Sequence, residues 1–149
     1  MNLKNEKLFK QECFINGDWV KSNNNQTLDV NNPSSLEIIG TVPKCGKEET
    51  KIAIEAANSS WDDWKARPAI ERSALLRKWF NLIESNHEDL AQIMTMEQGK
   101  PITESRGEIT YGASFVEWFA EEAKRVYGDI IPDRLTDRRI VVIKQPVGV

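Results

Sequence analysis

Lys44-Cys45-Gly46-Lys47 places a thiol between two ammonium groups. Nearby cations favour the thiolate, the nucleophilic form of cysteine. A catalytic thiol also needs a partnered base. None is near in sequence, so a plain loop cysteine is the simpler reading. Cys13, the second cysteine, heads an apolar run and reads as a small hydrophobe. The two supply neither a CxxC pair nor a disulfide framework. His87 is the single histidine and sits beside Glu88 and Asp89. One imidazole excludes a multi-histidine metal cluster. It also leaves little for a Cys-His or Ser-His relay, and a solvated residue in a helix's first turn is expected. Gly107-Glu108-Ile109-Thr110-Tyr111-Gly112 has phosphate-loop glycine spacing but lacks the Gly-Lys-Ser/Thr ending. Glu97-Gln98-Gly99-Lys100-Pro101 reads as a helix terminus, with glycine as the stop and lysine at the negative end of the helix dipole. Asn58-Ser59-Ser60 matches a glycosylation sequon but lies in a helical stretch. These residues do not make a complete active site.

The elements that would carry them are legible from periodicity. Phe14-Ile15-Asn16-Gly17-Asp18-Trp19-Val20 is a hairpin signal, because Asn-Gly suits the positive φ of a type I′ turn. Thr27 to Val30, a turn at Asn31 to Ser35, and Glu37 to Pro43 predict a second antiparallel pair. Helical spacing follows: Ile52, Ala53, Ala56, Ala57 and Ser60, closed by Trp61 and Trp64. Pro68 fits the first turn of the next helix, with Leu75, Leu76, Trp79, Leu82 and Ile83 as its buried stripe. Ser85-Asn86-His87-Glu88 has the form of a capping box. The helix it opens buries Leu90, Ile93 and Met94 and ends at Gly99. A long helix is expected from Thr103 to Tyr127, stopped by Gly128. It has two stripes. One runs through Ile109, Ala113, Val116, Ala120, Ala123 and Tyr127. The other runs through Gly107, Tyr111, Ser114, Phe115 and Trp118. A helix apolar on two sides is packed on both, or packed on one and lining a cavity with the other. Gly107 and Gly112 each cost about 1 kcal/mol against alanine in a helix, which suggests close approach of a neighbour. Glu121, Glu122, Lys124 and Arg125 read as a solvated face. Asp129 to Asp137 reads as a loop and Arg138 to Lys144 as a strand.

Length and composition bound the rest. The chain has 149 residues, 40% of them hydrophobic and 29% charged, with a formal net charge of −3. That is enough for one domain with a core. Charges are mixed along the chain, so no basic stripe points to nucleic acid. No apolar run approaches bilayer length and no secretion signal opens the chain. A cytoplasmic protein without a membrane partner is expected.

Several stretches are familiar in their order. "INGDWV", "NPSS", "AANSSWDDWKA", "MTMEQGKP" and the closing "IKQPVGV" resemble the start of the aldehyde dehydrogenase superfamily. "YGASFVEWFAEEAKRVYGDIIP", residues 111 to 132, and the opening "LFKQECFINGDWV" resemble its succinate-semialdehyde dehydrogenases. The resemblance runs from about Leu8 to Val149.

The resemblance implies a chemistry: cysteine attack on an aldehyde, hydride transfer to NADP or NAD, and hydrolysis of the thioester with help from a glutamate. The substrate implied is succinate semialdehyde, in GABA degradation. It also implies that the catalytic and cofactor-binding residues come later than this stretch. So no catalytic or cofactor-binding residue is assigned here, and the chain by itself is expected to be inactive. The implied fold is α/β overall and α+β in this segment. Residues 1–132 would be an outer part of the coenzyme domain, with hairpins at 12–43 and helices at 47–127. Residues 133–149 would begin the oligomerisation arm and the next coenzyme-domain strand. The implied assembly is a homo-oligomer. In relatives the long helix lines the substrate channel, which makes Gly107, Tyr111, Ser114, Phe115 and Trp118 candidate wall residues, with simple core packing the alternative. Glu97 is a weak cation-site candidate by the same likeness. The apolar end "VVIKQPVGV" reads as a seam, expected where a frame break, a split gene or a recombinant truncation cuts the chain. Two rival readings remain: an interaction module that complements a separately encoded catalytic half, and a degenerate gene remnant.

Overall fold

Asn16 and Gly17 take φ of 53° and 91°, the positive values that a type I′ hairpin demands of both central residues. The first hairpin is therefore built as its Asn-Gly turn predicts, β1 (Cys13–Ile15) against β2 (Asp18–Val20). The computed structural model describes residues 1–149. β3 (Thr27–Asn31) pairs with β4 (Ile38–Pro43), again antiparallel. Five helices follow: α1 (Lys47–Ser59), α2 (Trp61–Ala66), α3 (Ala69–Ser85), α4 (His87–Gln98) and α5 (Ile102–Glu122). β5 (Asp129–Ile131) and β6 (Ile140–Val142) close the chain as a third two-stranded sheet. The protein is a mixture of helices and small antiparallel strand pairs.

α5 is the hub, packed against both α3 and α4. Its inner face is narrow and small: Ser105, Ala113 and Ala120 are buried, and Ala91 of α4 is buried with them. Small residues let helix axes come close, and polar pairs then fix the register. The Thr95 and Ser105 hydroxyls meet at 2.8 Å. Arg77 of α3 donates to Glu117 at 2.6 Å and to Glu121 at 2.8 Å. Arg106 of α5 donates to both carboxylate oxygens of Glu88, at 2.8 and 2.7 Å. The arginine beside it holds the Glu88 carboxyl below the usual carboxylate range. His87 places Nε2 3.0 Å from both the Arg106 carbonyl and the Thr110 hydroxyl. It is a bridge between α4 and α5, not the solvated residue expected.

The N-terminal strap is held by a carboxylate. Asp89, buried on α4, accepts from the backbone N–H groups of Lys4 at 3.0 Å and Asn5 at 2.8 Å. Hydrogen bonds to a charged partner contribute about 1.5–3 kcal/mol. Asp89→Ala is therefore expected to lower stability by about that amount. It should also expose the Lys4 and Asn5 amides to rapid hydrogen exchange, while Asp89→Asn retains partial protection. Unchanged exchange at those two amides would refute this role.

Several local expectations are corrected. The capping box at Ser85 does not form: the Ser85 hydroxyl donates back to the Leu82 carbonyl at 3.0 Å, and Asn86 is the N-cap residue. The single helical run through Trp64 breaks at Ser60 into α1 and α2. α5 ends at Glu122, short of Tyr127. Gly128 is not its stop. A Cβ there would run into the Val142 backbone carbonyl, so this glycine serves the close approach of β6. Asp129–Ile131, expected as loop, is strand β5 and pairs with Ile140–Val142. Periodicity missed it because three residues carry too short a pattern. Gly99 does end α4 as expected, at φ 71°. It is doubly required, since a Cβ would also lie 2.7 Å from the Pro33 ring.

The predicted buried stripe of α3 divides. Leu76 and Ile83 turn inward and are half-buried, as are Arg77 and Phe80. Leu75, Trp79 and Leu82 face out. Apolar residues wrap more than half of this helix, so the pattern by itself does not mark the inner side, where Arg77 meets Glu117 and Glu121.

Candidate functional site

The two stripes of α5 part company in the same way. Ala113 and Ala120 are buried, with Ile109, Val116 and Ala123 half-buried, so that stripe is the packed one; its last member, Tyr127, lies beyond the helix end and is exposed. Gly107, Tyr111, Ser114, Phe115 and Trp118 all lie exposed on the other side. Tyr111 and Phe115 are one turn apart and meet edge-to-face, with ring centroids 4.8 Å apart and planes at 82°. That geometry suits the aromatic quadrupole. Ser114 donates its hydroxyl back to the Tyr111 carbonyl at 2.7 Å, which leaves the row without a free donor at that point. Toward the C-terminal end, Ser114, Phe115 and Trp118 line an open groove with Arg77 from α3. Phe119 joins them and is itself 57% exposed. Sequence spacing missed Phe119, although its i+4 step from Phe115 and i+8 step from Tyr111 carried the signal. Leu75, Trp79 and Leu82 of α3 are exposed as well.

Gly107 and Gly112 have open space where a Cβ would sit. No neighbour within this chain approaches them, contrary to the expectation that close packing compensates for them.

The rim of the groove is charged. Lys124 and Arg77 both donate to Glu121 and hold its carboxyl below the usual range. Arg125 pairs with Glu122 at 2.6 Å. The expected solvated charged face is thus a set of exposed ion pairs, each worth about 0–1 kcal/mol. Glu97 is exposed near the C-terminus of α4, and no grouping of three or more His, Cys, Asp or Glu gathers around it.

Neither thiol has the surroundings of an activated, catalytic nucleophile. Cys45 is exposed and Cys13 half-buried. The Cys45 thiol is pushed up, not down: partial desolvation leads, followed by contact with Cys13 and the Glu49 carboxylate. The flanking lysines do not reverse this. No base stands within hydrogen-bond reach of either sulfur, whose one polar neighbour is the other thiol.

A dinucleotide finds no cradle here. The usual cradle is a glycine-rich turn from a parallel strand into a helix N-terminus, and each of the three sheets is a two-stranded antiparallel pair. The N-terminus of α1, where an anion would sit, already holds the Glu49 carboxylate. It accepts from Gly46 N–H and Asn23 N–H, each at 2.8 Å. These two amides, Asn23 first, keep its carboxyl below the usual range. The residues of this chain do not fit the coenzyme. No helix is long and apolar enough to cross a membrane.

Comparison with known proteins supplies what the site lacks. The profile of the aldehyde dehydrogenase family matches residues 19–149. A glutarate-semialdehyde dehydrogenase of Pseudomonas putida (strain KT2440) is 57% identical over 149 residues, all of this chain and 31% of the relative. The NADP(+) succinate-semialdehyde dehydrogenase of Escherichia coli (strain K12) is 52% identical over the same span, again 31% of the relative. A crystal structure of an E. coli NADP-dependent enzyme superposes with a TM-score of 0.95 at 52% identity, over 97% of this chain and 30% of that one. The chain thus spans about a third of the length of the relatives it matches.

Proposed function

Since the chain belongs to the aldehyde dehydrogenase family, we propose that it is the N-terminal scaffold of an NADP- or NAD-dependent dehydrogenase for short aldehydes that end in a carboxylate. Succinate and glutarate semialdehydes are the substrates of that class. One observation carries this reading: 52–57% identity, without a break in coverage, to enzymes named for those two substrates. In the assembled enzyme the Tyr111, Phe115 and Trp118 row would form one wall of the substrate channel. Its apolar faces would meet the methylene chain and exclude water, leaving the charged and reacting ends to residues outside this segment. Residues 133–149 would begin the arm that joins subunits. Supporting this, the β5–β6 pair has exposed side chains throughout, and a two-stranded pair needs further packing to be stable.

The test is a graft. Residues 1–149 replace the matching segment of the E. coli relative, and kcat/KM is measured for succinate semialdehyde, glutarate semialdehyde and butanal. The chimera is expected to stay within about tenfold of its parent, or 1.4 kcal/mol in the transition state, on the first two. It should discriminate against butanal as the parent does. A folded, soluble chimera without activity on either semialdehyde would overturn the assignment. The 149-residue chain by itself is expected to form no NADPH, because it has neither an activated thiol nor a coenzyme cradle. A second reading is a separately encoded half that complements a catalytic chain. The exposed aromatic surface favours it, since large apolar patches mark interaction sites. Co-expression with the remaining two-thirds of the relative tests it: restored activity supports it, and no complex refutes it.

A further inference from the structure

Cys13 and Cys45 are 32 positions apart in the chain, yet their Sγ atoms lie 3.7 Å apart. Cys13 begins β1, where it is paired with Val20. Cys45 lies in the short connection between β4 and α1. Both are free thiols. Two sulfurs at this separation are in van der Waals contact, and a disulfide needs them at about 2.05 Å. The missing approach is small, and Cys45 is the residue that can supply it. It belongs to neither a strand nor a helix. It is also exposed, so a small oxidant reaches it from solvent.

We propose that Cys13 and Cys45 form a reversible intrachain disulfide, a redox modification site that ties the first hairpin to the start of α1. The oxidant is a low-molecular-weight disulfide, with glutathione disulfide as the probe. The Cys45 thiolate attacks one sulfur of the probe, forming a mixed disulfide and expelling one glutathione thiolate, which takes up a proton. Cys13, deprotonated to solvent, then attacks Cys45 Sγ and expels the second glutathione. Two protein thiols are oxidised, and one glutathione disulfide is reduced to two glutathiones. Exchange proceeds through the thiolate. Cys45 faces Cys13 and Glu49, with Lys44 and Lys47 beside it in the chain, and its thiol is held up. Oxidation is therefore slow at neutral pH and accelerates as pH rises. The bond closes a loop containing both hairpins, and loop closure of this length restricts the unfolded chain.

The 149-residue chain is incubated with glutathione disulfide, alkylated, and followed by intact mass and non-reducing peptide mapping. Both thiols are expected to disappear together with the loss of two hydrogens. The map should join the Cys13 and Cys45 peptides, dithiothreitol should restore both thiols, and the oxidised chain should melt several degrees higher. Cys13→Ser should trap glutathione stably on Cys45, because the resolving thiol is gone. Glutathione retained on both cysteines of the unmodified sequence, a disulfide between two chains, or two thiols that survive the oxidant would each overturn the proposal. The mass readout on the unmodified sequence does not depend on the variant folding.

Discussion

Trp118→Ala is expected to leave the melting temperature of the 149-residue chain nearly unchanged and to impair the grafted enzyme severely. In the chain alone the indole is 63% exposed. Substitutions at such positions usually fall within about 0.5 kcal/mol. An aromatic side chain that becomes covered buries about 150–250 Å². At about 25 cal/mol per Å² this is worth up to about 4–6 kcal/mol, so even a quarter of it corresponds to about tenfold in KM. If Trp118 forms a channel wall, the graft should show KM for succinate semialdehyde raised at least about tenfold. The chimera's melting temperature should hold. If Trp118 is instead packed in the interior of the complete enzyme, the chimera should melt lower with KM unchanged in the surviving fraction. Tyr111→Ala should follow Trp118, with a smaller effect, because its edge contact with Phe115 is already made within the helix.

Ala120→Leu is expected to lower the melting temperature of the isolated chain by several degrees. Ala120 has no exposed surface and stands on the inner face of α5. Adding methylene groups to a packed site typically costs about 1–3 kcal/mol, and for a chain of this size each kcal/mol shifts the midpoint by about 2–4 °C or more. The reserve is thin. Only 9 of 149 residues are buried, and domains hold about 0.05–0.15 kcal/mol per residue at best. Ala74→Leu, on the exposed side of α3, is the control and should be nearly neutral. Thermal unfolding by circular dichroism measures both. Equal midpoints for the two variants would show that α5 is not closely packed at Ala120.

The legible and illegible parts of this protein divide along a physical line. Asn16-Gly17 announced its hairpin because few dipeptides tolerate two successive positive φ values. Gly99 announced the end of α4 for the same reason. The two-faced character of α5 was readable from spacing, since the helical period is a local property. Which face packs was not. On α3 the apolar residues surround the helix, and the inner side is the one that carries Arg77, whose partners Glu117 and Glu121 are 40 and 44 positions away. Gly128 was misread as a helix stop because its real constraint is the Val142 backbone, brought close by the return of β6. Ser85 lost its capping role to its own helix, a competition between two local hydrogen bonds that sequence does not weigh.

The amino-acid sequence by itself determined most of the elements, some of their ends and, through its ordered motifs, the family. Those rest on short-range sterics, on periodicity, and on resemblance along the chain. Tertiary structure decided which apolar rows are core and which remain a surface. It made His87 a bridge between helices, and it brought Cys13 to Cys45. Each of these depends on residues distant in sequence meeting in space, and only the folded chain sets which of them meet.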